Sequence, residues 1–145
     1  MPLLTLPCDA DGAVVEVRIS ISSASLTTLN LPHQLVPPPR HIRMLIDPGA
    51  AFTCVESSAL QPLGLSASNS VPMLTPSTGP NPIYCNEFVV DLAILHPVQE
   101  LLITSALVVE CMPLGSSYLG LLGRDILAHC LFIYDGPSQS FTLAF

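Results

Sequence analysis

The segment Met44-Leu45-Ile46-Asp47-Pro48-Gly49-Ala50-Ala51-Phe52 constrains the fold most, because it carries one carboxylate out of an apolar run straight into a glycine turn. Among the aspartates, only Asp47 has strand-like residues before it, a tight turn after it, and a helix-like segment, Thr53 to Leu60, beyond that. The expected local structure is strand, Asp turn and short helix.

The flanking pattern is that of strands. In the run from Ala13 to Ile21, apolar residues alternate so that Val15, Val17, Ile19 and Ile21 share one face, the period of a half-buried strand. Pro32 and the triplet Pro37-Pro38-Pro39 predict a stiff, extended connection between Leu31 and Arg40. A strand resumes from Arg43 to Ile46 and delivers Asp47, and a helix is expected to end near Leu65 with Gly64 as its cap. Turn formers between Val71 and Pro82 predict a hairpin tip around Ser77-Thr78-Gly79, followed by a strand through Tyr84 and Phe88 to Leu92. Further strands are read from Leu101 to Val109, Cys130 to Tyr134 and Ser140 to Phe145, the last two joined by the turn Asp135-Gly136-Pro137-Ser138. The class is mostly β with two short helices, in a single domain spanning 1–145.

Composition narrows the functions. Half of the residues are hydrophobic and only 10% are charged, so apolar area is expected to be covered by a partner, in the first place a second copy. The net charge of -7 and the absence of lysine argue against a nucleic-acid partner, which needs a basic footprint. No long uncharged apolar run suggests a membrane span, and no basic leader precedes Pro7 and Cys8. Cys8, Cys54, Cys85, Cys111 and Cys130 are read as buried free thiols in a reducing cytoplasm, since no Cys-x-x-Cys pair is present. His33, His41, His96 and His129 are dispersed, so no metal site is expected.

Leu45-Ile46-Asp47-Pro48-Gly49-Ala50, set beside Leu119-Gly120-Leu121-Leu122-Gly123-Arg124-Asp125-Ile126-Leu127, resembles the retropepsin-like aspartic proteases, cellular and bacterial members more than viral ones. In that family a strand ends in Asp-Thr-Gly or Asp-Ser-Gly followed by Ala, and a later apolar pair with Gly and Arg-Asp or Arg-Asn opens a helix near the C-terminus. The resemblance covers nearly the whole chain. It implies a closed β-barrel of the acid-protease lobe type with a flap hairpin and one or two short helices. It makes Asp47 the catalytic residue, Pro48, Gly49 and Ala50 the active-site loop, and Thr75, Pro76, Ser77, Thr78 and Gly79 the flap tip, with Ile83 and Tyr84 beside it. Leu122, Gly123, Arg124 and Asp125 become structural supports near the site, and no cofactor is implied.

Hydrolysis on this fold uses two carboxylates sharing one proton across a water. The chain has one such motif, so the resemblance implies a homodimer with one Asp47 from each subunit and a peptide or protein substrate held as an added strand. Pro48 departs from the family, whose Thr or Ser at this position bonds across the dimer through its hydroxyl and backbone N–H. Position 51, acidic in viral members, is Ala51, so Arg124 is expected to find another anion or a carbonyl. Two functions follow: an aspartic endopeptidase, or a catalytically silent dimerisation or peptide-binding module in which Pro48 marks relaxed demands on the site.

Overall fold

The computed structural model of the chain describes residues 1–30, 32 and 35–145. Leu31, His33 and Gln34, which belong to the expected Leu31–Arg40 connection and to the dispersed histidines, lie outside the described residues.

Six strands close into a barrel. β2 (Val14–Ile21) pairs antiparallel with β3 (Arg40–Ile46), which runs parallel to β8 (Gly120–Leu122). β8 is antiparallel to β4 (Cys54–Glu56), and β4 is parallel to β7 (Leu101–Cys111). β7 pairs antiparallel with β6 (Ile83–Ile94), and β6 returns to β2, which closes the ring. β5 (Asn69–Met73) pairs only with β6 and forms with it the hairpin whose tip spans residues 74–82. A second sheet, in the order β1 (Leu3–Pro7), β10 (Ser140–Ala144), β9 (Leu131–Asp135), joins the two ends of the chain.

Alternation explains why the barrel closes around one core. Val15, Val17, Ile19 and Ile21 are all buried, as their spacing predicts, and face Ile42, Met44 and Ile46 of β3 and Val90, Leu92 and Ile94 of β6. In the second sheet Phe141 and Leu143 turn inward, and Leu4, Leu6 and Phe132 pack against the same cluster. The other face of that sheet leaves Leu3, Leu131 and Ile133 exposed.

Three short α-helices occur among the described residues: α1 (Ser23–Leu29), α2 (Ser57–Leu60) and α3 (Arg124–Leu127). α1 adds one to the two read from the sequence. The Ser22 side chain caps it by accepting from the Ser25 N–H, and no helix residue is buried. The buried Asp91 docks the helix start, accepting the Ser23 N–H and hydroxyl, while its other oxygen takes the Ser105 N–H at the β6–β7 register shift. The expected helix-like stretch from Thr53 is corrected: Cys54–Glu56 form β4, because β-branched Val55 fills the barrel core between two neighbouring strands, and α2 begins only at Ser57. A single 3-10 turn at Gln61–Leu63 continues it and ends at Gly64 with φ 62°, the left-handed cap expected there. No helix among the described residues is long and apolar enough to cross a membrane.

Candidate active site

β3 ends at Ile46, and the next residue leaves the sheet. Asp47 donates its N–H to the Leu122 carbonyl at 3.0 Å, and the Ala50 N–H closes a β-turn onto the Asp47 carbonyl at 3.1 Å. Pro48 therefore occupies the second turn position, where its fixed φ is already suited and no donor is required. The Gly49 N–H donates to Asp47 Oδ1 at 2.9 Å. A Cβ at position 49 would stand 3.0 Å from that same oxygen, so glycine leaves room for the carboxylate to take the bond.

The segment 122–125 holds this turn from the other side. The Arg124 N–H donates to the Ala50 carbonyl at 2.9 Å, and Arg124 Nη1 donates to the carbonyls of Pro48 and Gly49 at 2.9 and 3.1 Å. With Ala51 in the place of an acid, the guanidinium thus satisfies itself on backbone carbonyls. Asp125 accepts the Thr53 N–H at 2.9 Å and the Thr53 hydroxyl at 2.7 Å, and Thr53 Oγ1 in turn accepts the Gly123 N–H at 3.0 Å. Thr53 is fully buried. Asp125 Oδ1 also accepts the Ile126 N–H and so helps begin α3.

Gly123 is required by approach rather than by φ. A Cβ there would lie 2.5 Å from the Phe52 carbonyl carbon and 2.9 Å from the Thr53 nitrogen. Backbone cannot yield as a flexible side chain does, so Gly123→Ala is expected to destabilise the protein by about 1–3 kcal/mol, the usual cost of overpacking. A thermal unfolding midpoint equal to that of the wild type would contradict this account of the loop.

Asp47 is half-buried, and neither of the two principal cavities, of about 600 and 350 Å³, includes it. The flap candidates are placed together at the β5–β6 tip. The Thr78 N–H donates to the Thr75 carbonyl at 3.0 Å, the Thr75 N–H to Thr78 Oγ1 at 2.8 Å, and Gly79 takes φ 60°. Pro76 and Ser77 are exposed, as are Leu74 and Tyr84. Among the described residues no hydrogen bond joins this tip to the Asp47 turn.

A likeness to solved structures spans nearly all of this geometry. A retropepsin-like aspartic protease from Rickettsia conorii superposes with a TM-score of 0.58 at 14% identity, over 99% of this chain and 91% of that one. The chain has the retropepsin-like fold. An aspartic proteinase from Irpex lacteus superposes with a TM-score of 0.54 at 13% identity, over 99% of this chain and 47% of that one. No profile of a known protein family and no curated protein matches the sequence.

In this retropepsin-like fold the thiols differ from expectation. All five cysteines are free, but each is half-buried rather than buried. The sequence reading also passed over Thr53, the residue through which Asp125 and Gly123 grip the turn. Its only signal is a lone threonine at the start of an apolar strand. Among the described residues no group of three or more His, Cys, Asp or Glu side chains is placed to hold a metal ion. His96 Nε2 instead lies 3.1 Å from the Leu3 carbonyl oxygen.

Proposed function

We propose that the chain acts as one retropepsin-like domain and is an aspartic endopeptidase, working as a homodimer with one Asp47 from each subunit on the two-fold axis. The observation that carries this reading is the Asp47 turn. Its carboxylate is anchored by the Gly49 N–H on a loop clamped by Leu122, Arg124 and Ala50, and the residue keeps part of its surface open to solvent in the lone chain. A second copy supplying its own Asp47 would complete a pair of carboxylates that share a proton, one ionised to activate water and one protonated to polarise the scissile carbonyl. The match to only 47% of the Irpex lacteus proteinase supports a unit that needs a second like itself. The exposed apolar face of the terminal sheet, with Leu3, Leu131 and Ile133, supports a dimer as well.

The flap tip, residues 75–79, covers an extended peptide in this reading, and the exposed Leu74, Ile83 and Tyr84 give it apolar contacts. No cofactor takes part. A reducing compartment such as the cytoplasm fits five unpaired thiols. The test is cleavage of a mixed peptide library across the mildly acidic range, with an aspartic-protease inhibitor as control. Inhibitable cleavage that declines as pH rises and the shared proton is lost is expected; a flat profile argues against the carboxylate pair.

Pro48 favours a second reading, a silent dimerisation or peptide-binding module, because the turn lacks the hydroxyl and N–H that relatives use across the axis. Pro48→Thr restores both groups. Each regained bond contributes about 0.5–1.5 kcal/mol and the change is present in both subunits, so the dimer dissociation constant is expected to fall by at least roughly tenfold and activity to rise. Sedimentation at graded concentrations measures it. An unchanged constant shows that the subunits hold each other by other contacts.

A further inference from the structure

Three of the five cysteines lie on the neighbouring strands β4, β7 and β6. The parallel β4–β7 register sets Cys54 opposite Val109 and Glu56 opposite Cys111, so Cys54 and Cys111 are diagonal neighbours. Val55 points into the core, which turns Cys54 to the outer face of β4, where Leu121 lies across from it on β8. The antiparallel register of Glu87 with Val109, continued two residues, brings Cys85 of β6 to the Cys111 end of β7. Cys8 and Cys130 lie elsewhere, near the second sheet, where Cys8 donates its N–H to the Gln139 carbonyl and Cys130 follows α3.

The thiols are not equivalent. The neighbouring Cys111 thiol holds the Cys54 thiol below its ordinary range, against the effect of burial, and the polar backbone of Leu121 acts in the same direction. The nearness of Cys54, together with burial, pushes the Cys111 thiol up. Burial raises Cys85 and Cys130 as well. Asp47 and Asp125 both act on Cys54 through their charge, so this sulfur is within electrostatic reach of the proposed catalytic carboxylate.

We propose that Cys54 and Cys111 form a reversible oxidation site that closes to a disulfide when the protein meets hydrogen peroxide. The Cys54 thiolate attacks one peroxide oxygen; the S–O bond forms, the O–O bond breaks, and hydroxide leaves to take up the proton that Cys54 released. Cys111 then attacks the sulfenic sulfur; the S–S bond forms, hydroxide departs, and it leaves as water with the Cys111 proton. Two thiols lose two electrons in all, and one peroxide becomes two waters. Diagonal strand neighbours stand farther apart than residues directly opposite, and a disulfide needs a Cα separation of about 4.4–6.8 Å. Closure therefore draws the end of β7 toward Cys54, which follows the Asp47 turn by way of Phe52 and Thr53. A consequent loss of cleavage rests on the peptidase reading above; the bond itself does not.

Treatment of the intact chain with graded hydrogen peroxide, followed by peptide mapping and intact mass, tests the site without any activity assay. The expected product has lost two hydrogens, carries a Cys54–Cys111 link, and returns to the starting mass with dithiothreitol. In Cys111→Ser, Cys54 is expected to gain oxygen and run on to sulfinic acid with no link formed. First oxidation at Cys8 or Cys130, a Cys85–Cys111 link in place of the diagonal one, or no link at all overturns the proposal. Loss of cleavage on linking extends it to the peptidase; cleavage unaffected by a proven link leaves the bond in place and removes its effect on Asp47.

Discussion

Asp47→Asn is expected to abolish peptide cleavage while leaving the fold and the dimer intact. Asparagine is nearly isosteric with aspartate and keeps a carbonyl oxygen for the Gly49 N–H, so the turn that Ala50 and Arg124 hold has no reason to reopen. What it loses is the ability to ionise or to hold a shared proton. A positioned acid or base contributes about 10²–10⁴ in rate, and removal from both subunits at once takes the base and the acid together, so kcat/KM should drop by at least the upper end of that range. Retained turnover in a well-folded dimer would sink the assignment of Asp47 as the catalytic residue.

Asp125→Ala is expected to have the largest effect on stability. The Asp125 carboxylate is the acceptor for two Thr53 donors, one a backbone N–H, at a residue with no solvent exposure to offer water as a substitute. Hydrogen bonds to a charged group contribute about 1.5–3 kcal/mol each, so with two of them lost a destabilisation of at least about 3 kcal/mol is expected. For a domain of this size that lowers the unfolding midpoint by roughly 10 °C or more. Asp125→Asn, which keeps one acceptor, should lose distinctly less. Calorimetry on the two variants decides the matter: equal midpoints for wild type and Asp125→Ala would show that the Thr53–Asp125 link does not hold the turn.

Both results turn on residues that were unequally legible in the sequence. The Asp47 turn stood out because a single carboxylate between an apolar strand and a glycine is a local pattern, and the Leu122–Asp125 segment repeated that kind of signal. The barrel strands β2 and β6 were readable for the same reason: their alternation is a local record of which face is buried. β4 was not. Its three residues are strand only because β7 and β8 flank them, a fact held by residues more than fifty positions away. β1 escaped notice likewise, since its partner is the far end of the chain. α1 has no apolar stripe to reveal it, only a serine cap and an anchor on Asp91. The thiol cluster depends on strand register, which composition cannot carry.

Pro48 is a departure whose local effect the structure makes plain. The residue fits the second position of the β-turn and offers its carbonyl to Arg124, so the loop around Asp47 closes without a threonine. In the proposed dimer its cost would fall on contacts between subunits, and there that dimer is most exposed to test.

That test is activity in mixtures of wild type and Asp47→Asn, combined at fixed total concentration and allowed to exchange subunits. If each site needs one Asp47 from each of the two chains, mixed dimers are silent and activity follows the square of the wild-type fraction, about one quarter in an equal mixture. A linear decline to about one half, or the absence of Asp47-dependent cleavage in the wild type itself, would contradict a two-fold aspartic site.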